Sequence, residues 1–215
     1  MGRLSLLQIA LTTKCQLSCH HCPMAQYRNT TQKYPLKCRE LIKFLKAYCK
    51  PDKWVIELTG GEPALFEDID HLCEWLSVNG YRTVIKTNGL IEIKPRPNIT
   101  RVAAFHQLDN PPKYFDEILI IDKLDREAKE QVCKQNGWPY KVIGFNKEVI
   151  DDLRNEFKFI AFINPAGHQL GCPAVPAIEN DIGTDDLNRI NHRPLVAQYC
   201  CPTCKLANDV WRFII

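Results

Sequence analysis

Several things are scarce in this 215-residue chain. No apolar run approaches the roughly 20 residues that cross a bilayer, which argues against a membrane-spanning helix and a membrane partner. Net charge is only +3, too mild to draw nucleic acid or an anionic lipid surface. No internal repeat and no low-complexity stretch is present, which removes repeat architectures and biased tails. No small-residue cleavage site follows the brief apolar start Met1–Leu11, so that segment is expected to be a strand rather than an export signal. Cysteine is too sparse for a disulfide scaffold: 11 residues, about 5% of the chain and below the density of such proteins. The count is also odd, so a complete set of intramolecular disulfides is impossible. A reducing, cytoplasmic setting is expected, where clustered cysteines point to metal or redox chemistry.

What is there is globular composition, with 45% hydrophobic and 25% charged residues, in a length suited to one domain or one domain with an appendage. Continuous, β-branched-rich apolar runs predict strands over Leu4–Thr12, Trp54–Thr59, Arg82–Thr87, Arg101–Phe105, Glu117–Ile121 and Tyr140–Gly144. Helical spacing of apolar residues predicts helices over Leu36–Cys49 and Asp68–Val78, and a third is expected over Asp125–Gln135. Asn79-Gly80 and Asn136-Gly137 supply stops. The Pro-rich link Gln107–Asp116 is expected to have lost its helix. Strand–helix alternation favours a parallel α/β sheet with right-handed crossovers. A closed eight-unit barrel needs about 250 residues, so the roughly 150 available here give an incomplete, six-unit one.

Past residue 150 the pattern changes. Phe157–Ile163 reads as a strand, Asn164-Pro165-Ala166-Gly167 as a turn, and His168–Gly171 as the return of a hairpin, followed by a loop-rich tail. The expected division is therefore a partial barrel over 1–150 and a small cysteine-rich extension over 151–215.

Cys15-x3-Cys19-x2-Cys22 follows the first strand, where an α/β barrel places its active-site loops. Three thiolates on one loop suit three irons of a [4Fe–4S] cluster and leave the fourth iron open for a ligand. Taken alone, the motif also fits buried structural cysteines, or zinc with His20 or His21 as fourth ligand. Leu58-Thr59-Gly60-Gly61-Glu62-Pro63 ends the second strand. Its glycines open the backbone to close approach, and Glu62 offers a carboxylate to a cationic amine. Alone it reads as a Gly-Gly turn before a helix. Thr87-Asn88-Gly89 ends the third strand at the same face.

These three motifs, in this order at successive strand ends, resemble the radical S-adenosylmethionine (radical SAM) enzyme superfamily as far as about residue 145. The resemblance implies a (β/α)6 partial TIM-like barrel in which Cys15, Cys19 and Cys22 bind a [4Fe–4S] cluster whose open iron is chelated by S-adenosyl-L-methionine. It further implies cofactor contacts from Thr59, Gly60, Gly61, Glu62 and Pro63, from the backbone of His21 before the last cysteine, from Thr87, and from Ile143 against adenine. The activity it implies is reductive cleavage to a 5′-deoxyadenosyl radical that abstracts a substrate hydrogen. The electron comes from a donor such as a flavodoxin or ferredoxin.

In the tail, Cys172 after the hairpin, Asp181-Ile182-Gly183-Thr184, and Cys200-Cys201-Pro202-Thr203-Cys204 resemble a shortened SPASM/Twitch extension carrying an auxiliary [4Fe–4S] cluster. Cys172, Cys201 and Cys204 are the natural ligands. Either Cys200 joins them through a bent backbone, because adjacent side chains point apart, or the fourth iron is open; His168, His192 or a substrate atom are the other candidates. Zinc or a metal-free remnant are the alternatives for this site. Cys38, Cys49, Cys73 and Cys133 fall on helices and read as packing. The leading expectation is an oxidoreductase that modifies a peptide or small molecule with an auxiliary cluster. One alternative is a single-cluster enzyme of a nucleoside or cofactor pathway with a structural zinc in the tail. The other is a non-catalytic Fe–S accessory protein.

Overall fold

The computed structural model describes residues 4–19, 22, 28–29, 36–121, 125–143, 157–163 and 169–170. In chain order the elements are β1 (Leu4–Ala10), α1 (Cys38–Tyr48), β2 (Trp54–Thr59), a 3₁₀ turn (Pro63–Leu65), α2 (Ile69–Val78) and β3 (Arg82–Thr87). There follow β4 (Ile99–Ala104), β5 (Glu117–Ile121), α3 (Arg126–Asn136), β6 (Tyr140–Ile143), β7 (Phe157–Ile163) and β8 (Gln169–Leu170). The sheet order is β6-β5-β4-β3-β2-β1-β7-β8. Neighbours from β1 to β6 all pair parallel, which is the six-stranded partial barrel expected from the alternation of elements.

The helix ends follow turn chemistry. After α2, Gly80 takes the left-handed conformation at φ 73°. Its N–H donates to Ser77 O at 3.0 Å, and the Tyr81 N–H donates to Leu76 O at 3.0 Å. A side chain at that φ would be strained, so glycine is the residue that lets the chain turn back toward the sheet. Gly137 does the same after α3, with Trp138 N–H donating to Cys133 O at 2.9 Å.

Packing splits the sheet into two faces. Leu7 and Ile9 on β1, Ile56 and Leu58 on β2, and Ile85 on β3 join Leu41, Leu45, Leu72 and Leu76 in the core under α1 and α2. Ile118 and Ile120 on β5 pack with Cys133, beneath α3. Since strand side chains alternate, Gln8, Glu57 and Lys86 lie on the opposite, inner face. Cys38, Cys73 and Cys133 on the helices and Cys49 at the end of α1 are all buried, which suits packing, and burial pushes Cys49 and Cys73 up to about 12.

No helix occupies the link 88–98 or the link 105–116. The sequence pattern predicts a helix in neither link. Ile93 and Phe105, each 2% exposed, do the covering there. β1 ends two residues earlier than expected, because the Thr12 carbonyl turns away from the ladder to accept from the Gly61 N–H at 2.7 Å.

The expected change near residue 150 does not interrupt the sheet. β7 pairs parallel with β1, in register from Ser5↔Phe159 to Ile9↔Ile163, and β8 returns antiparallel on β7. Among the described residues, no helix is long and apolar enough to cross a membrane.

Candidate active site

The site is built where β1 and β2 end. Beyond Ala10 the chain stays beside β2, with Leu11 N–H on Thr59 O at 2.8 Å. It then threads past the second loop: Gly61 N–H donates to Thr12 O and Glu62 N–H to Lys14 O, both at 2.7 Å. A Cβ on Gly60 would lie 2.6 Å from Thr12 O, and one on Gly61 only 2.2 Å from Lys14 O. Gly60 also sits at φ 133°. Both glycines are thus required by the chain's own backbone at 12–14. Close approach was expected of these glycines, but here the approaching partner is the base of the cysteine loop.

Glu62 is fully buried. Its Oε1 accepts from Thr87 Oγ1 at 2.7 Å and from Ala64 N–H at 3.0 Å, and its Oε2 accepts from Asn88 N–H at 2.8 Å. Burial raises its pKa, and these three donors oppose the rise. The carboxylate therefore braces the end of β2 against the end of β3 and caps the 3₁₀ turn that begins at Pro63. Thr87 is buried as well, and its hydroxyl also accepts from Gly89 N–H at 3.0 Å. Thr59, Gly60 and Gly61 are half-buried, whereas Pro63 is buried.

Cys15, Cys19 and Cys22 are free and partly exposed. Burial is the main cause raising the Cys15 and Cys19 thiols; Glu62 and Cys22 raise Cys15 further, Cys22 and Cys15 raise Cys19, and Arg28 opposes both. Three half-buried, mutually interacting thiols on one loop form a soft donor set, suited to iron–sulfur ligation with proton release on binding. Among the described residues, no group of three or more His, Cys, Asp or Glu is gathered for a metal ion. The thiols therefore do not converge on one point, whereas a cluster spreads its ligands over several irons.

Sequence reasoning missed what staples this loop. Asn29 accepts from Cys15 N–H at 2.9 Å, donates back to Cys15 O at 3.2 Å, and gives its own N–H to Thr13 O at 2.9 Å. Arg28 donates to Leu17 O at 3.2 Å. Gln16 reaches Asn88 Oδ1 at 3.3 Å, tying the loop to the end of β3. Asn29 sits at φ 57°, a conformation asparagine tolerates better than most residues; that tolerance is the one signal that marks it. Ile143 is half-buried at the carboxyl end of β6, paired with Ile121. His21, Cys172, Cys200, Cys201 and Cys204 lie outside the described residues, as does the candidate fourth ligand His168 or His192.

A partial parallel barrel whose first strand-end loop presents three free cysteines, clasped by a glycine loop on the second strand, defines a protein built around a cluster-binding loop. The Radical SAM superfamily model matches residues 9–100, which contain the cysteine loop and the glycine loop, and that stretch marks the chain as a radical SAM enzyme.

Among characterised relatives, GTP 3′,8-cyclase of Aquifex aeolicus is 28% identical over 172 residues, 72% of this chain and 53% of that protein. The 7-carboxy-7-deazaguanine synthase of Methanothermobacter thermautotrophicus is 32% identical over 75 residues, 35% of this chain and 30% of that protein. The chain spans about half the length of the first of these. Streptococcus suis SuiB bound to S-adenosylmethionine shares the fold, with a TM-score of 0.54 at 20% identity over 86% of this chain and 54% of that one. SuiB bound to its precursor peptide SuiA gives 0.52 at 17% identity, over 86% of this chain and 64% of that one.

Proposed function

We propose that this protein reductively cleaves S-adenosyl-L-methionine and acts on a purine nucleotide or a related nucleoside-derived small molecule, in the making of a cofactor or modified base. The observation that carries the first part is the clasp: three free cysteines on a loop whose base is hydrogen-bonded, backbone to backbone, to Gly61 and Glu62. Support for the second part comes from relatives named for GTP and for a deazaguanine. The peptide-modifying reading has only the likeness to SuiB beside it, which at 17–20% identity is a likeness of fold.

Cys15, Cys19 and Cys22 would hold the [4Fe–4S] cluster, which when bound supplies the single electron that breaks the sulfonium C–S bond of S-adenosylmethionine. The chain's own part is positional. The Gly60–Pro63 loop fixes the base of the cysteine loop, Glu62 locks that loop to β3, and Asn29 with Arg28 holds the loop's return. A radical generated there reacts with whatever lies near, so a rigid surround is what makes one substrate hydrogen the target. A flavodoxin- or ferredoxin-type donor supplies the electron. In this reading Cys172, Cys201 and Cys204, with Cys200 where the backbone bends, hold a structural zinc.

Anaerobic reconstitution tests the assignment. Metal analysis should give about four irons and about one zinc per chain; about eight irons and no zinc would restore the auxiliary cluster. Replacing Cys15, Cys19 and Cys22 together by Ala should reduce dithionite-driven formation of 5′-deoxyadenosine to background. Unchanged formation in that triple variant would overturn the radical SAM assignment, and cluster binding without any cleavage would leave an Fe–S accessory protein.

A further inference from the structure

Inside the barrel, one layer is wrong for a structural core. Parallel-barrel interiors are normally filled by branched apolar side chains, yet β1 and β2 place Gln8 and Glu57 on the inner face, opposite Leu7 and Ile56, and β3 places the half-buried Lys86 there, two residues beyond Val84, the register partner of Glu57. Gln8 and Glu57 are direct register partners and are 2% and 7% exposed. The Gln8 amide donates to Glu57 Oε1, while Gln8 Oε1 is buried with no hydrogen-bond partner. Burial raises the Glu57 pKa, and the Lys86 ammonium acts against that rise. A buried amide left half-satisfied beside a buried carboxylate costs stability, and aliphatic residues would avoid that cost. Gln8 and Glu57 lie two residues below the strand ends that carry the cysteine loop and the Gly60–Pro63 loop, and Lys86 lies one residue below Thr87. A molecule reacting at those loops would rest on this layer.

We propose that Gln8, Glu57 and Lys86 are the base-recognition ledge of the barrel interior, reading a guanine-type edge. This rests on the purine reading above. The free Gln8 oxygen and the Glu57 carboxylate are adjacent acceptors, and Lys86 is a donor close enough to feel Glu57. Guanine offers the complement, ring and exocyclic N–H donors side by side with a carbonyl oxygen. Hypoxanthine keeps the ring N–H and carbonyl but lacks the exocyclic amine; adenine lacks the carbonyl. Sites that hydrogen-bond a group discriminate strongly against analogues without it, because their own buried polar atoms are then left unpaired.

The test uses the reconstituted full-length protein with S-adenosylmethionine and no reductant, so that binding is read without turnover. GTP, ITP and ATP are titrated by calorimetry. The wild type should prefer GTP over ITP by about tenfold, the scale of one hydrogen bond to a charged group. Glu57→Gln should bring that ratio close to one, and Lys86→Met should collapse the preference of GTP over ATP while leaving GTP against ITP largely intact. Circular dichroism melts check that both variants are folded. GTP binding with ratios unchanged in both variants would overturn the ledge and leave the purine reading standing. No binding of any of the three, with none consumed by the reduced holoenzyme, would remove the purine reading and the ledge with it.

Discussion

The two halves of the sheet are held in different ways. From β1 to β3, each crossover carries a helix, and Leu41, Leu45, Leu72 and Leu76 close a thick core on the outer face. From β3 to β6 only α3 is present, and its core is Phe105, Ile118, Ile120 and Cys133 with a rim of partly buried residues. Polar links replace the missing helices: Arg101 pairs with Asp116 at 2.7 Å and donates to Ile93 O at 3.0 Å, and the Lys113 and Tyr114 N–H groups both donate to Gly89 O. The cysteine loop and its clasp stand on the thick half, and the family match at residues 9–100 falls mostly there. The loop that carries the three cysteines is thus placed where packing is deepest, while the half beyond β3 rests on a smaller core.

The largest effect should come from Gly61→Ala, because the new Cβ would meet a backbone oxygen that has nowhere to go. We expect destabilisation on the order of 5 kcal/mol, together with loss of bound iron after reconstitution. Normal iron content and an unchanged urea midpoint would show that the clasp is slack. The contrast of halves is tested next by Leu72→Ala and Ile118→Ala, both at fully buried sites. The first should cost about 4 kcal/mol and the second about 2 kcal/mol, since fewer neighbours surround it and the site can relax. Equal losses in denaturant titrations would dissolve the distinction.

Glu57→Gln should act in the opposite direction. The folded carboxyl has a raised pKa, so an unfolded chain that ionises more readily is favoured as pH rises. The penalty is absent below the unfolded pKa, about 4.3, and grows as pH climbs from there through the folded value. The variant should therefore melt above the wild type at pH 7, with the gap closing as the pH is lowered towards 4. The smallest effect belongs to the Arg101–Asp116 pair. The Arg101 guanidinium holds the Asp116 carboxyl below its usual value, so its stabilisation is full above the unfolded pKa, about 3.9, and is lost as pH falls through the folded one. With Asp116 39% exposed at its side chain, the pair contributes no more than about 1 kcal/mol. Asp116→Asn should match the wild type at the lowest pH and fall slightly below it at pH 7.

Much of this was legible in the sequence for local reasons. Strands β2, β3 and β5 lie at their expected residues, because β-branched and apolar residues cluster in each run and suit the pleated surface of a sheet. The ends of α2 and α3 were marked by Asn-Gly pairs whose turn chemistry acts within a few residues. The covering role of Ile93 in the link 88–98 was not legible, since it sits in no periodic pattern. Asn29 was missed because its partners Thr13 and Cys15 are 14 or more residues away and no spacing rule relates them.

By itself, then, the sequence determined the class of fold, the order of the strand-end motifs and the soft donor set of Cys15, Cys19 and Cys22, all of which depend on residue type and short spacing. Tertiary structure alone decided that Gly60 and Gly61 make room for the chain's own backbone and that Glu62 faces inward as a brace. It alone placed Gln8 on Glu57, 49 residues apart. Parallel pairing joins strands across whole crossovers, and in a run where both faces are buried the pattern does not show which polar residue turns inward until the sheet has closed.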